Sequence, residues 1–180
     1  MSSTLATSIE RPLAELSKVV NSSFKRRVTN EVTELSKMAA YIDMEYRGGG
    51  TKEIFTFMLT IVPEKSDQYD EDLYQFILSN EYPFRSPVTV SVNHIHFKTY
   101  LQVHSPKTLS ELREYYKINC LCCSSIACNN NWTPSNNLLR FISEFNSTKR
   151  MRRGILYRIL VNKISKKYLN EDINLLEWLI

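Results

Sequence analysis

Four cysteines dominate the chemistry that this sequence could perform. Cys120, Cys122, Cys123 and Cys128 lie within nine consecutive residues. A thiolate is a strong nucleophile and a ligand for soft metals, so such a cluster can carry a covalent intermediate or bind an ion. Disulfides of secreted domains join distant segments, whereas these cysteines are close neighbours, and we therefore expect reduced thiols in an intracellular protein.

The spacing of the cysteines argues against a metal centre. Cys120 and Cys123 form a CxxC pair, but the sequence contains neither a second CxxC pair nor an HxxxH partner that would complete a zinc site. We therefore predict no metal ligands. The interpretations that remain are a nucleophile or small buried side chains without a chemical role.

The composition fits one domain with an ordinary core. The chain has 180 residues, of which 43% are hydrophobic and 23% charged. No apolar run approaches the roughly 18 residues that span a bilayer, and the formal charge of +4 is small. The densest basic segment, residues 149–153, is short and typical of a solvated helix end. We expect a soluble protein of the cytoplasm or nucleus, without a membrane or nucleic-acid partner.

Hydrophobic periodicity predicts helices near both ends of the chain. Pro12 is expected to start a short accessory helix, and a stronger helix begins at Ser23 with a polar face that includes Glu31 and Glu34. Helical spacing returns in two segments after residue 137. The repeating apolar residues of these three stronger segments are Phe24, Val28, Val32, Leu35 and Met38, then Leu138, Leu139, Phe141, Ile142 and Phe145, and finally Ile155, Leu156, Ile159, Leu160 and Ile164.

Alternating residues between these helices predict an antiparallel sheet. Residues 41–46, 53–62 and 73–78 are rich in Ile, Phe, Tyr and Val, and the alternation of Val88, Val90 and Val92 indicates a fourth strand. A helix followed by a four-stranded antiparallel meander indicates the α+β class. The next stretch, of about 35 residues, shows regular spacing only in a short helix predicted at 109–116. A segment this long in a compact domain is usually functional or disordered.

Three short motifs resemble those of the ubiquitin-conjugating enzyme family. The run YPFRSP at residues 82–87 resembles the YPFxxP signature, and WTP at residues 132–134 resembles the WxP motif. The active cysteine of that family usually lies in a Cys-Leu pair ahead of the tryptophan, which Cys120 and Leu121 match. The resemblance covers residues 24–145.

The resemblance implies an order of elements and a division of the chain. It implies an N-terminal helix, the four-stranded meander, a long active-site segment and C-terminal helices. Residues 23–146 would form the conjugating core, 1–22 an N-terminal extension and 147–180 a C-terminal helical segment of the same domain. The residues with a motif or structural role would be Tyr82, Pro83, Pro87, His96 and Trp132.

The same resemblance implies thioester chemistry that needs neither a metal nor a cofactor. Cys120 would accept ubiquitin or a ubiquitin-like modifier from an activating enzyme and pass it to a lysine of a substrate protein or to a ubiquitin ligase. The residues that would contact the activating enzyme are Lys25, Arg26 and Arg27. The residues that would contact a ligase are Phe84, Thr133, Pro134 and Ser135.

The sequence departs from the family at two places near the cysteine. Strict spacing to the WTP motif puts Ser124, rather than Cys120, at the active position. The family's HPN triplet keeps its histidine at His96 but has Lys98 in place of the asparagine. Loss of one oxyanion donor can cost about 10²–10³ in rate, and we assign the role of that asparagine to Asn119.

Several alternatives remain open. The nucleophile could be one of the other three cysteines rather than Cys120, and an asparagine at 129–131 could act in place of Asn119. The chain could also be an inactive conjugating variant that keeps the fold and serves as a binding or adaptor module. Finally, the motifs could match by chance in an adaptor unrelated to ubiquitin.

Overall fold

A five-stranded antiparallel sheet lies at the centre of the computed structural model, which describes residues 3–17, 21–48, 55–66, 70–103 and 105–168. Neighbouring strands in the chain are neighbours in the sheet. The strands are β1 (Ala39–Gly48), β2 (Phe55–Pro63), β3 (Tyr74–Ser79), β4 (Thr89–Val92) and β5 (Ile95–His96). The α+β class and the antiparallel meander that the sequence predicts are confirmed.

A tight hairpin adds the fifth strand, which the sequence pattern does not predict. Asn93 and His94 have φ values of 50° and 66°, the left-handed conformation that some two-residue hairpin turns require and that asparagine tolerates well. The Asn93 side chain accepts a hydrogen bond from the Leu73 N–H and donates one to Asp72, both at 2.8 Å. With two residues, β5 is too short to produce an alternating pattern.

Helices precede and follow the sheet along the chain. The described residues contain α1 (Ser3–Ser17), α2 (Ser22–Leu35), α3 (Phe97–Leu101), α4 (Pro106–Tyr115), α5 (Leu121–Ser124) and α6 (Leu138–Tyr168), with a 3₁₀ turn at Asn129–Asn131. The helix predicted at 109–116 is thus present as α4. None of these helices is long and apolar enough to cross a membrane.

Two helix predictions are corrected by the structure. Pro12 lies inside α1 rather than at its start, and no other proline or glycine occurs in that helix to end it. The two predicted C-terminal helices form one helix, α6, of 31 residues. Gly154 does not interrupt α6, and a Cβ at this position would lie 3.1 Å from the Tyr116 hydroxyl. Glycine therefore allows the end of α4 to approach α6 closely.

One face of the sheet carries the hydrophobic core. Residues directly opposite each other in neighbouring strands form rows of buried side chains. The rows are Ile42–Ile61–Tyr74–Val92, Met44–Leu59–Phe76–Val90 and Phe57–Leu78. Val88, which the pattern groups with the buried valines of β4, precedes that strand and is 62% exposed. The fourth strand therefore contributes two valines to the core rather than three.

Helices α2 and α6 cover this face of the sheet through aromatic contacts. The ring centroids of Phe24 and Phe57 are 5.5 Å apart, those of Phe76 and Phe141 5.9 Å, and those of Tyr74 and Phe145 5.6 Å. Rings at such separations pack directly against each other. Both helices are therefore fixed on the same side of the sheet, and the cysteine-containing segment leads directly into α6.

A buried carboxylate joins α2, α6 and the loop that follows β3. Glu31, which the sequence pattern assigns to a polar face, is only 6% exposed. It accepts hydrogen bonds from the Tyr82 hydroxyl at 2.6 and 2.7 Å and from the Leu138 N–H at 3.0 Å, and it forms an ion pair with Arg27. The first N–H groups of a helix lack partners within the helix, so Glu31 satisfies one for α6 from another element.

Replacing Glu31 with glutamine should lower the free energy of unfolding by about 2 kcal/mol, because the change weakens charge-assisted hydrogen bonds to buried groups. The matched control is Glu34→Gln on the same helix, where the side chain is 58% exposed, and its effect should stay within about 0.5 kcal/mol. Urea denaturation followed by circular dichroism measures both changes. Equal effects of the two substitutions would contradict the role assigned to Glu31.

Candidate active site

The two aromatic motifs are in direct contact. The Trp132 Nε1–H donates a hydrogen bond of 2.8 Å to the carbonyl oxygen of Pro83, 49 residues earlier in the chain. The ring centroids of Tyr82 and Trp132 lie 5.9 Å apart, and Trp132 stacks on Phe141 of α6 at 5.7 Å. The Tyr82–Pro83 peptide bond is cis. The YPF loop, residues 82–87, and the WTP motif therefore form one packed unit.

Burial keeps Tyr82 protonated and able to donate to Glu31. Its side chain is 1% exposed. Desolvation, together with the nearby charge of Glu31, raises the pKa of Tyr82 far above its ordinary value. Tyr82 therefore links the YPF loop to α2 through Glu31, a partner that no local motif identifies.

The residues expected to contact a ligase lie on the surface of this unit. Phe84 is 75% exposed, and Thr133, Pro134 and Ser135 are exposed as well. The hydroxyls of Thr133 and Ser135 are hydrogen-bonded to each other at 2.7 Å. Phe84 directly follows Pro83, and Thr133 directly follows Trp132. The hydrogen bond between Pro83 and Trp132 therefore brings the two exposed segments together.

The three basic residues expected to contact an activating enzyme are not equivalent. Arg26 is exposed and Lys25 is half-buried. Arg27 pairs with Glu31 and donates to the carbonyl oxygen of Asn136 at 2.6 Å. Because Arg27 is engaged inside the protein, a partner that binds this end of α2 would meet Arg26 and Lys25.

The segment that follows Cys120 is anchored to the body of the protein. Leu121, Ile126 and Ala127 are buried. The N–H group of Ile126 donates a hydrogen bond of 3.0 Å to Glu144 of α6. These contacts fix the segment while Cys120, which directly precedes α5, remains partly exposed.

An asparagine side chain closes the same segment into a loop. The amide of Asn131 donates to the carbonyl oxygens of Cys123 and Ser125 at 2.7 and 2.9 Å. Asn119 is exposed, and its side chain forms no hydrogen bond with any residue that the structure describes. Of the candidate asparagines, the structure therefore brings Asn131, rather than Asn119, into contact with the cysteine loop.

Three of the four thiols converge at the start of α5. The sulfur atoms of Cys120, Cys122 and Cys123 all lie within 4.8 Å of one another. Cys120 Sγ is 2.6 Å from Cys122 Sγ, and Cys122 Sγ is 3.9 Å from Cys123 Sγ. Cys122 and Cys123 are exposed, so the cluster is open to solvent.

The neighbouring thiols favour ionisation of Cys120. The hydrogen bond from the Cys122 thiol, supported by the backbone N–H of Cys123, lowers the pKa of Cys120 to about 7. Donation to Cys120 raises the pKa of Cys122 to about 11, and the pKa of Cys123 is also raised. A single thiolate centred on Cys120 should therefore be present near neutral pH, and this is the ionised form that nucleophilic chemistry requires.

His96 performs a local structural task. Its Nδ1 atom accepts a hydrogen bond of 3.2 Å from the Lys98 N–H and caps α3. It also lines a cavity of about 280 Å³ that includes Arg85 and Asn129 but not Cys120. No hydrogen bond joins His96 to the cysteine cluster within the described residues, so the structure does not bring this candidate to the thiols.

Two residues of this region carry little signal in the sequence. Glu31 lies beside the apolar stripe of α2, and its burial depends on Tyr82 and Leu138, 51 and 107 residues away. Asn131 is one of three consecutive asparagines, and the spacing does not distinguish it from its neighbours. Contacts across the fold select Glu31, whereas the geometry of its own loop selects Asn131, which binds the carbonyl oxygens of Cys123 and Ser125.

Comparison with known proteins returns no relative. No model of a protein family matches the chain, and neither a curated protein sequence nor a solved structure matches it.

The alkylation of Cys120 by iodoacetamide should titrate with a midpoint near pH 7. Because the thiolate is the reactive form, the rate should rise as the pH increases through this value and then reach a plateau. Tandem mass spectrometry can resolve the modification of residue 120 from that of its neighbours.

Two variants provide the matched comparison for this titration. Cys122→Ala removes the donor to Cys120 and should move the midpoint towards the ordinary thiol value of about 8.5. Cys128→Ala, which lies outside the three-thiol cluster, should leave the midpoint unchanged. A wild-type midpoint at the ordinary value would contradict the described arrangement.

Proposed function

We propose that this protein is a ubiquitin-conjugating enzyme that carries ubiquitin, or a ubiquitin-like modifier, as a thioester on Cys120. The proposal rests on the hydrogen bond between Trp132 and Pro83, because it joins in space the two motifs that carry the resemblance. The order of helix, antiparallel meander, cysteine segment and C-terminal helix supports the proposal, with five strands and one long helix where the resemblance implies four strands and several helices.

The chemistry requires an accessible thiolate on a fixed loop. The Cys120 thiolate attacks the carbonyl carbon of the thioester that links the modifier to an activating enzyme. A new carbon–sulfur bond forms, and the activating enzyme leaves as a thiolate. A lysine amine of a substrate, or a ligase cysteine, then attacks the same carbonyl and releases Cys120. No metal or nucleotide takes part in either step.

The surroundings of Cys120 support this role. The contact with Cys122 favours the thiolate, and the bonds from Asn131 to the loop carbonyls hold its backbone. We therefore favour Asn131 over Asn119 as the replacement for the HPN asparagine, since Asn131 holds the loop that follows Cys120. Arg26 and Lys25 would meet the activating enzyme, and Phe84 with Thr133, Pro134 and Ser135 would meet a ligase.

A second candidate function is that of an inactive conjugating variant that binds partners without forming a thioester. One observation favours it. Lys98 occupies the position expected for the HPN asparagine, and His96 beside it caps α3 instead of contacting the thiols. Such a variant would retain the exposed surface at Phe84 but would not become charged.

Charging with ubiquitin should separate the two functions. Wild-type protein, incubated with activating enzyme, ATP and ubiquitin, should gain an adduct that is visible on a non-reducing gel and removed by a thiol reductant. Cys120→Ala should abolish the adduct, because no nucleophile remains at that position.

The control for this assay is Cys123→Ala, which removes an exposed thiol of the same cluster and should still charge. Circular dichroism establishes that each variant is folded. Absence of an adduct on folded wild-type protein, with ubiquitin and with other modifiers, would favour the inactive variant. An adduct that persists in Cys120→Ala would contradict the choice of nucleophile.

A further inference from the structure

We propose that Cys120, Cys122 and Cys123 form a binding site for a soft metal cation such as Zn²⁺. The sequence spacing argues against a metal because it offers no second ligand pair. The fold nevertheless places three sulfur atoms within 4.8 Å of one another, so the ligands come from a single short segment instead of two distant pairs.

One separation between the sulfur atoms matches the distance that zinc requires, and a second would have to widen. With Zn–S bonds of about 2.3 Å, two thiolates on a tetrahedral ion lie about 3.8 Å apart. The observed distance between Cys122 Sγ and Cys123 Sγ is 3.9 Å. The contact between Cys120 Sγ and Cys122 Sγ, 2.6 Å in the structure, would have to open by about 1 Å, which a change of side-chain rotamer can provide.

The ligand set selects the class of ion. Three sulfur donors favour soft or borderline cations over Mg²⁺ or Ca²⁺, which prefer oxygen ligands. Cys128 is half-buried and lies outside the group of three, so the fourth position on zinc would be open to water or to an external ligand. Each thiol that binds gives up its proton to solvent.

Metal binding would affect the function proposed above, since Cys120 serves as a ligand. Its sulfur lone pair would be donated to the ion, and the thioester could not form until the metal left. The site would thus act as a reversible block on the nucleophile. The existence of the metal site itself rests only on the three sulfur positions and does not depend on the thioester role.

Titration of metal-free protein with Co²⁺, followed by displacement with Zn²⁺, tests the site. The protein is kept in a phosphine reductant so that disulfides do not form. One Co²⁺ ion per chain should bind and produce a thiolate-to-cobalt charge-transfer absorption, which Zn²⁺ should abolish. Bound Zn²⁺ should also protect Cys120 from iodoacetamide, a result that is read without any activating enzyme.

Three variants decide which thiols bind. Cys122→Ser and Cys123→Ser alter exposed side chains and should each weaken Zn²⁺ binding by more than about 100-fold, since even the loss of a group that only supports a ligand can cost 10–100-fold. Cys128→Ser should leave the affinity unchanged. Absence of charge-transfer absorption in the wild type, or equal binding by all three variants and the wild type, would overturn the proposal. Charging by ubiquitin is scored separately, so either idea can fail alone.

Discussion

The buried carboxylate of Glu31 is the interaction on which the packing of the YPF loop against the two large helices depends. It accepts hydrogen bonds from Tyr82 and from the start of α6, and it pairs with Arg27 on its own helix. A buried charge is tolerated only where it is paired and hydrogen-bonded, so these groups must be arranged together. Glu31 therefore ties the YPF loop to α2 and α6, two helices that aromatic contacts already fix on the sheet. Trp132 packs against this loop.

The cysteine loop is held by a different set of contacts. The backbone around α5 is fixed by its buried side chains, by the hydrogen bond from the Ile126 N–H to Glu144 and by the two hydrogen bonds that Asn131 donates. In the proposed function, this rigid support and the partly exposed Cys120 thiol would let a large modifier reach the sulfur. The same convergence of thiols lowers the pKa of Cys120 and creates a set of soft ligands, so nucleophile and metal site would share one atom.

Much of the fold is predictable because local periodicity reflects local geometry. The alternation in β2 and β3 is visible in the sequence, since one face of these strands is buried in continuous rows. The burial of Glu31 depends on residues far away in the chain. The contacts of Asn131 depend on the geometry of its loop, and no pattern in the sequence reveals either. The approach of the three sulfur atoms likewise depends on the turn into α5. The spacing of the cysteines in the sequence, taken alone, argues against a metal site.

The Cys120→Ser variant tests the central claim most directly. When the wild type and the variant are incubated with activating enzyme, ATP and ubiquitin, an oxygen nucleophile at this position should retain the modifier as an ester. That ester should resist thiol reductants, be released by hydroxylamine and map to residue 120 by peptide mass spectrometry. A folded variant that carries the modifier at Cys122 or Cys123, or that gains none while the wild type becomes charged, would contradict the assignment of Cys120 as the nucleophile.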